Sequence, residues 1–291
     1  MKRDIFAVAV QHCPLEMEYR EQNLDFIISK IKYHSDLGAE LIVFPEVGLT
    51  NFFHHEPDGL EKYWNKGAIS LDSQEIKKIK EVAKSCGVYT VVGFAEKSNV
   101  IGTIYNSAAL IGPNGIEGIT RKVYMPGLEK LYYTRGGERE VFYTQIGKIG
   151  IVICYESMFP ENFIDLSMKG AEIIVITSSI WAGGDKGGVG DKENKQKYWS
   201  VLPIVSAIQS QTFIVSANAC GSLNMGAGVG TWERVGLSKI VSPTGEVLSE
   251  ANVEEDVDLR AELRVDSMLE AKTSYRFISD RVLYGAMETT N

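Results

Sequence analysis

The chain has little histidine and little cysteine, four of each in 291 residues. Its cysteines, Cys13, Cys86, Cys154 and Cys220, stand far apart with no C-x-x-C pair. That spacing argues against a zinc site and a disulfide framework, and it fits a reducing, cytoplasmic setting. Basic charge is also short. Thirty Lys and Arg against 38 Asp and Glu leave a net charge of −8, the wrong sign for a protein that neutralises phosphates, so no nucleic-acid partner is expected. No run reaches the roughly 18 apolar residues that cross a bilayer, so no membrane partner is expected either. Met1-Lys2-Arg3-Asp4 leads directly into Ile5-Phe6-Ala7-Val8-Ala9-Val10, which lacks a small-residue cleavage site and reads as a first strand. No Pro- or Ser-rich linker divides the chain, so residues 1–291 read as one domain with room for a sizeable core.

What is present is an alternation of strand and helix patterns. Residues 5–11 read as a strand, and 20–37 carry Leu24, Ile27, Ile28 and Ile31 at helical spacing up to Gly38. Leu41-Ile42-Val43-Phe44 is a short buried-strand run, 72–86 an amphipathic helix closed by Gly87, and 88–96 a strand. Two hairpins are expected, one around Gly112-Pro113-Asn114-Gly115 and one around Gln145-Ile146-Gly147-Lys148. The second half repeats the logic with strands at 173–176 and 213–219, a helix at 194–210, and a strand pair about Ser242-Pro243-Thr244-Gly245. Such a pattern suggests an α/β fold of two face-to-face sheets with helices outside. The tail from about Val265 carries no strong core signal and is expected in subunit contacts.

Cys154 ends the apolar run Ile149-Gly150-Ile151-Val152-Ile153, and Pro160-Glu161 soon after suits the first turn of a helix. A cysteine on such a strand-to-helix bend can face an incoming carbonyl with backbone N–H groups nearby. A lone cysteine is more often an inert apolar filler. Glu46 closes Leu41-Ile42-Val43-Phe44-Pro45-Glu46, where partial desolvation favours a carboxylate that works as a base. Lys122 and Glu129 lie seven residues apart in a stretch rich in aromatics, Gly and Pro. Each of these, taken alone, is a common surface residue.

Together they resemble the nitrilase superfamily, the carbon–nitrogen hydrolases with a Glu-Lys-Cys triad. Its three motifs look like Phe44-Pro45-Glu46, Arg121-Lys122-Val123-Tyr124-Met125-Pro126 with Glu129, and Cys154-Tyr155-Glu156 running on to Phe159-Pro160-Glu161. The likeness extends through Val215-Ser216-Ala217-Asn218 to Asp280-Arg281 and Leu283-Tyr284, so it spans essentially the whole chain. The resemblance implies an α-β-β-α sandwich, a homodimer or higher homo-oligomer joined through its α faces, and no metal or organic cofactor. It assigns Cys154 as nucleophile, Glu46 as base, Lys122 with the Tyr155 backbone N–H as oxyanion stabilisers, and Glu129 as substrate-positioning residue. Chemically this is coherent, since a free thiol with a pKa of about 8.5 needs a base or a cation beside it to attack at neutral pH.

Departures from the pattern bear on substrate. Nitrilases resemble Cys-Trp-Glu followed by Asn or His, whereas this chain has Cys154-Tyr155-Glu156-Ser157 and then the amidase-like Phe159-Pro160-Glu161. The first expectation is an amidase releasing ammonia from a small amide. A nitrilase is the alternative, supported by the spacing of Lys122 to Glu129, and an N-carbamoyl hydrolase or an acyltransferase using the same triad comes second. Trp181, after Thr177-Ser178-Ser179-Ile180, is a candidate pocket wall or a core tryptophan. Gly183-Gly184-Asp185-Lys186-Gly187-Gly188-Val189-Gly190 and Gly226-Ala227-Gly228-Val229-Gly230 lack the Gly-Lys-Ser/Thr ending of a phosphate loop. His54-His55 reads as a loop pair rather than a metal site.

Overall fold

The computed structural model describes residues 1–186, 190–254 and 256–283. Gly187, Gly188 and Val189 of the glycine-rich loop, and Tyr284 of the last motif, lie outside the described residues. Fifteen strands follow in chain order: β1 (Ile5–Gln11), β2 (Leu41–Val43), β3 (Tyr89–Lys97), β4 (Ile104–Gly112), β5 (Gly115–Arg121), β6 (Val141–Thr144), β7 (Gly147–Ile153), β8 (Ile173–Ser178), β9 (Trp181–Gly184), β10 (Phe213–Asn218), β11 (Ser222–Asn224), β12 (Thr231–Arg234), β13 (Lys239–Val241), β14 (Val247–Glu250) and β15 (Val257–Leu263). The helices are α1 (Arg20–Asp36), a single turn α2 (Gly59–Lys62), α3 (Gln74–Cys86), α4 (Pro160–Met168), α5 (Lys192–Ser210), α6 (Val265–Ser274) and α7 (Phe277–Leu283).

Two six-stranded sheets result, in the orders β15-β1-β2-β3-β4-β5 and β14-β13-β10-β8-β7-β6, with β11-β12-β9 as a small third sheet. Strand periodicity explains the layers, because successive side chains point to opposite faces. Ala7, Ala9, Val43, Val91 and Leu110 of the first sheet meet Ile149, Ile151, Val175 and Val215 of the second in a dry seam. Their neighbours Val8, Val10, Ile42 and Val92 turn outward onto Leu24, Ile27 and Ile31 of α1 and Ile76 and Ile79 of α3. On the far side Val152, Ile174, Ile176 and Ile214 receive Phe163 and Leu166 of α4 and Trp199 of α5. The order is therefore helix, sheet, sheet, helix, as expected.

Local chemistry sets the element ends. The Ser73 side chain caps α3 by accepting from Ile76 N, and Gly87 at φ +67° closes that helix in the left-handed region. Pro160 opens α4. The start of the tail packs on the chain itself: Met268 of α6 joins the core between the sheets, Ala271 is buried, and Gln211 Nε2 donates to Ala271 O and, at 2.9 Å, to Tyr275 O. Its apolar residues are too sparse to show a periodicity, yet two suffice to dock a short helix.

Candidate active site

Three strand exits deliver the expected residues to one place. Glu46 follows β2 after the Phe44-Pro45 bend, Lys122 follows β5 directly, and Cys154 follows β7 directly. The backbone of Lys122 continues the β4–β5 ladder by donating to Asn106 O at 2.8 Å. Lys122 Nζ donates to Glu46 Oε1 at 2.6 Å and to Glu129 Oε2 and Oε1 at 2.8 and 3.0 Å. All four residues are buried, with Cys154 only 3% exposed.

Such burial is costly for charges unless they are paired. Burial pulls the Lys122 pKa down, but Glu129 and Glu46 outweigh it and hold the ammonium well above its ordinary value. Burial raises Glu129 to about 7, helped by the negative charge of Glu46 and only partly opposed by Lys122. Burial also pushes the Cys154 thiol well above its usual value; Glu46 adds to this and Lys122 offsets it in part. Cys154 therefore rests as a thiol, and any attack by it needs a proton acceptor.

Cys154 sits at φ +54°, the left-handed region that costs a non-glycine residue about 1–3 kcal/mol. Glu156 holds this elbow. Its fully buried carboxylate accepts from Ile153 N at 3.0 Å, Val123 N at 2.7 Å and Arg139 at 2.6 Å, so one side chain ties the residues flanking Cys154 and Lys122. The motif reading contained Glu156 without giving it this task. Tyr155 is the second residue of the 3-10 turn Cys154–Met158, where a backbone N–H has no partner inside the turn. Its ring turns to Phe159 at 5.4 Å.

Sequence reasoning missed three further partners. Asn106 Nδ2 donates to Glu46 Oε1 at 2.7 Å, and Ser179 N donates to Glu46 Oε2 at 3.0 Å. Arg234 is 2% exposed and bonds Ser179 Oγ and Asn51 Oδ1, each at 2.9 Å. The available signal was a polar residue in an apolar strand, as with Asn106 in β4. Trp181 is partly buried and lies edge-on to Phe52 at 5.3 Å and Trp232 at 6.1 Å, in a cluster with Phe53, Tyr132 and Tyr133. The outer ends of these segments line a cavity of about 350 Å³ with His54, Glu56, Asp185 and Thr231.

Among the described residues, Glu16, Glu18 and His54 form a cluster with metal-ligand spacing. Lys62 Nζ lies 3.4 Å from His54 Nδ1 and 3.5 Å from Glu18, so an ammonium already supplies positive charge there. No described helix is long and apolar enough to cross a membrane.

With this geometry in view, the carbon-nitrogen hydrolase family matches residues 7–272. The chain belongs to that family. It is 28% identical over 290 residues to the 2-oxoglutaramate amidase of Paenarthrobacter nicotinovorans, covering 96% of this chain and 89% of the relative. A nitrilase of Pyrococcus abyssi is 29% identical over 232 residues, covering 78% and 77%. The crystal structure of a carbon-nitrogen hydrolase from Helicobacter pylori G27 superposes with a TM-score of 0.83 at 22% identity, covering 97% of both chains. The protein is a carbon–nitrogen hydrolase.

Proposed function

We propose that the chain hydrolyses a small carboxamide to the carboxylic acid and ammonia through a thioester on Cys154. The observation that carries this reading is the Lys122 ammonium clamped between two buried carboxylates beside a buried thiol. Cys154 Sγ attacks the carbonyl carbon while its proton passes to Glu46. The oxyanion is held by Lys122 Nζ and the Tyr155 backbone N–H, groups fixed before substrate arrives and therefore costing no reorganisation. Protonated Glu46 then gives its proton to the departing nitrogen, and ammonia leaves. Water loses a proton to Glu46 as it attacks the thioester; collapse returns that proton to Sγ and frees the acid. Glu129 keeps Lys122 oriented and faces the amide. Trp181, with Phe52 and Trp232, forms the apolar wall against the acyl group.

An amide needs one oxyanion and one proton delivered to nitrogen per acylation. A nitrile passes through a thioimidate and needs repeated proton delivery, which a single shuttle such as Glu46 serves less well. The test is kcat/KM for amide and nitrile pairs sharing one acyl group, read as released ammonia. The amide is expected to win in each productive pair, and a nitrile winning throughout overturns the choice. A competing amine that captures most of the acyl group identifies an acyltransferase instead.

A further inference from the structure

Arg234 is an unusual side chain to bury. It carries a full charge, is 2% exposed, and has no ion pair among the described residues. Its Nε donates to Ser179 Oγ at 2.9 Å, and one terminal nitrogen donates to Asn51 Oδ1 at 2.9 Å. The other terminal nitrogen faces Cys13 Sγ at 3.7 Å and the Cys220 and Ser222 carbonyls at 3.5 Å each. The guanidinium also lies 4.7 Å from the centre of the Trp181 ring. A desolvated cation without a carboxylate partner is costly, so something nearby must favour it.

Two of its contacts lead to Glu46. The backbone N–H of Ser179 is what holds Glu46 Oε2. Asn51 lies in the loop that carries Glu46, and that loop is strained: Val47 stands at φ +43° and Asn51 at φ +56°. A β-branched residue seldom adopts such a φ and stays there only where its surroundings enforce it. Asn51 is enforced from several sides, donating to Pro14 O and Leu15 O and accepting from Phe52 N and Arg234. The charge count gives the second argument. Glu46 and Glu129 are two buried carboxylates, and among the described residues Lys122 is the one cation bonded to them. Arg234 adds a second positive charge behind Glu46 and feels that carboxylate through space.

We propose that Arg234 is a positioning residue of the active site, fixing Glu46 through Ser179 and Asn51 and balancing the Glu46–Glu129 pair with a second buried positive charge. The proposal rests on the reading of Glu46 as the base. The groups that face Glu46 are Lys122, Glu129, Cys154, Asn106, Ser179 N–H, the buried phenols of Tyr63 and Tyr133 within electrostatic range and, behind them, Arg234. The groups that face Arg234 are Cys13, Cys220, Asn51, Ser179 and Trp181, with neutral His12 also within electrostatic range. Taking away one cation makes the remaining cluster hold a proton more tightly.

The experiment measures kcat and KM from pH 5.5 to 9 for the wild type, Arg234→Gln, Arg234→Lys and Glu46→Gln, each checked for cooperative unfolding. In Arg234→Gln the acid limb of kcat/KM moves up by about one pH unit, roughly a tenfold loss at the acid end that shrinks towards pH 9. Arg234→Lys keeps the limb in place but lowers kcat several-fold, because a lysine cannot span Ser179 and Asn51 together. A purely structural arginine lowers the melting temperature of both variants and leaves the limb unmoved, and that result overturns the proposal. If Arg234→Gln does not fold, Arg234→Lys decides: wild-type kcat in it refutes the positioning role. Glu46→Gln separates the two readings. An acid limb that keeps its wild-type midpoint in Glu46→Gln sinks the base assignment itself, whereas one that gives way there to a continuous rise with pH yet stays put in Arg234→Gln sinks only the inference about Arg234.

Discussion

Replacing Glu46 by Gln tests the base assignment most directly, because every contact to its carboxylate is a donor. Lys122 Nζ at 2.6 Å and Asn106 Nδ2 at 2.7 Å both point at Oε1, and Ser179 N at 3.0 Å points at Oε2. A glutamine offers one acceptor and one NH2 group. Its oxygen takes the Oε1 position, so its NH2 meets the Ser179 N–H, donor against donor. An unmade buried hydrogen bond costs about 1–3 kcal/mol. With an unfolding entropy of about 2.1 cal/mol/K per residue, a chain of 291 residues has roughly 0.6 kcal/mol/K, and Tm falls by about 2–5 °C. The variant therefore stays folded while losing its proton acceptor. Turnover then depends on thiolate that forms unaided. Burial already holds that thiol well above its ordinary value, so little of it is ionised at neutral pH, and the leaving nitrogen also lacks its proton donor. Ammonia release is expected to drop by about 10² or more, and log kcat/KM to keep climbing with unit slope as pH rises instead of levelling off. A folded variant that keeps a flat profile and a rate within tenfold of wild type refutes the reasoning.

Lys122→Met leaves Glu46 and Glu129 facing each other without the ammonium between them. Turnover is expected to fall by about 10² or more, and urea melts to show a larger stability loss at pH 8.5 than at pH 6, where the carboxylate pair can share a proton; equal losses at both pH values count against the coupled pair. His12 is buried with neither ring nitrogen hydrogen-bonded among the described residues, and burial together with the charge of Arg234 lowers its pKa to about 3. The unfolded chain takes up this proton below about pH 6.5 while the native chain does not, so stability is lost as pH falls from 6.5 towards 3, by about 2 kcal/mol at pH 5. His12→Phe keeps the stack on Phe26 and is expected to lose that much less between pH 7 and 5; identical pH slopes rule out the assignment. Tyr198, Val201, Val205 and Ile208 form an exposed stripe on α5, and residues 198–210 contain no charged side chain, so two copies can meet there without like-charge repulsion. Val205→Glu is expected to shift the sedimenting species towards monomer, and an unchanged distribution refutes self-association through this face.

Much of the scaffold was legible in residue order because the same residues carry both pattern and burial. Ile149 to Ile153 alternate between the inter-sheet seam and the α4–α5 face, so a near-continuous apolar run correctly implied a strand covered on both sides. β15 was not read, since Asp258, Arg260 and Glu262 interrupt it and its pairing with β1, Ile5 against Leu263, joins opposite ends of the chain. β9, β11 and β12 are three or four residues long, too short for any periodicity. At the site, Glu46, Lys122, Glu129 and Cys154 could be singled out because strand exits and motif order mark them. Asn106, Ser179 and Arg234 could not. Their importance lies in what touches them, and Arg234 meets Asn51 across 183 positions of sequence.

Cys154 and its proposed partners hang from different sheets: Cys154 from β7 in one, Glu46 and Lys122 from β2 and β5 in the other. The packed seam and a few hydrogen bonds, Ser179 N to Glu46 and both Val123 N and Ile153 N to Glu156, set the distance between them, and reacting groups tolerate a misplacement of only about an ångström. Turnover is thus a ruler laid across the interior. A substitution at Ile151 or Val91, in the seam between the layers, is expected to lower turnover while the strands stay paired. A variant library screened for released ammonia would be sorted in part by how well two layers still fit.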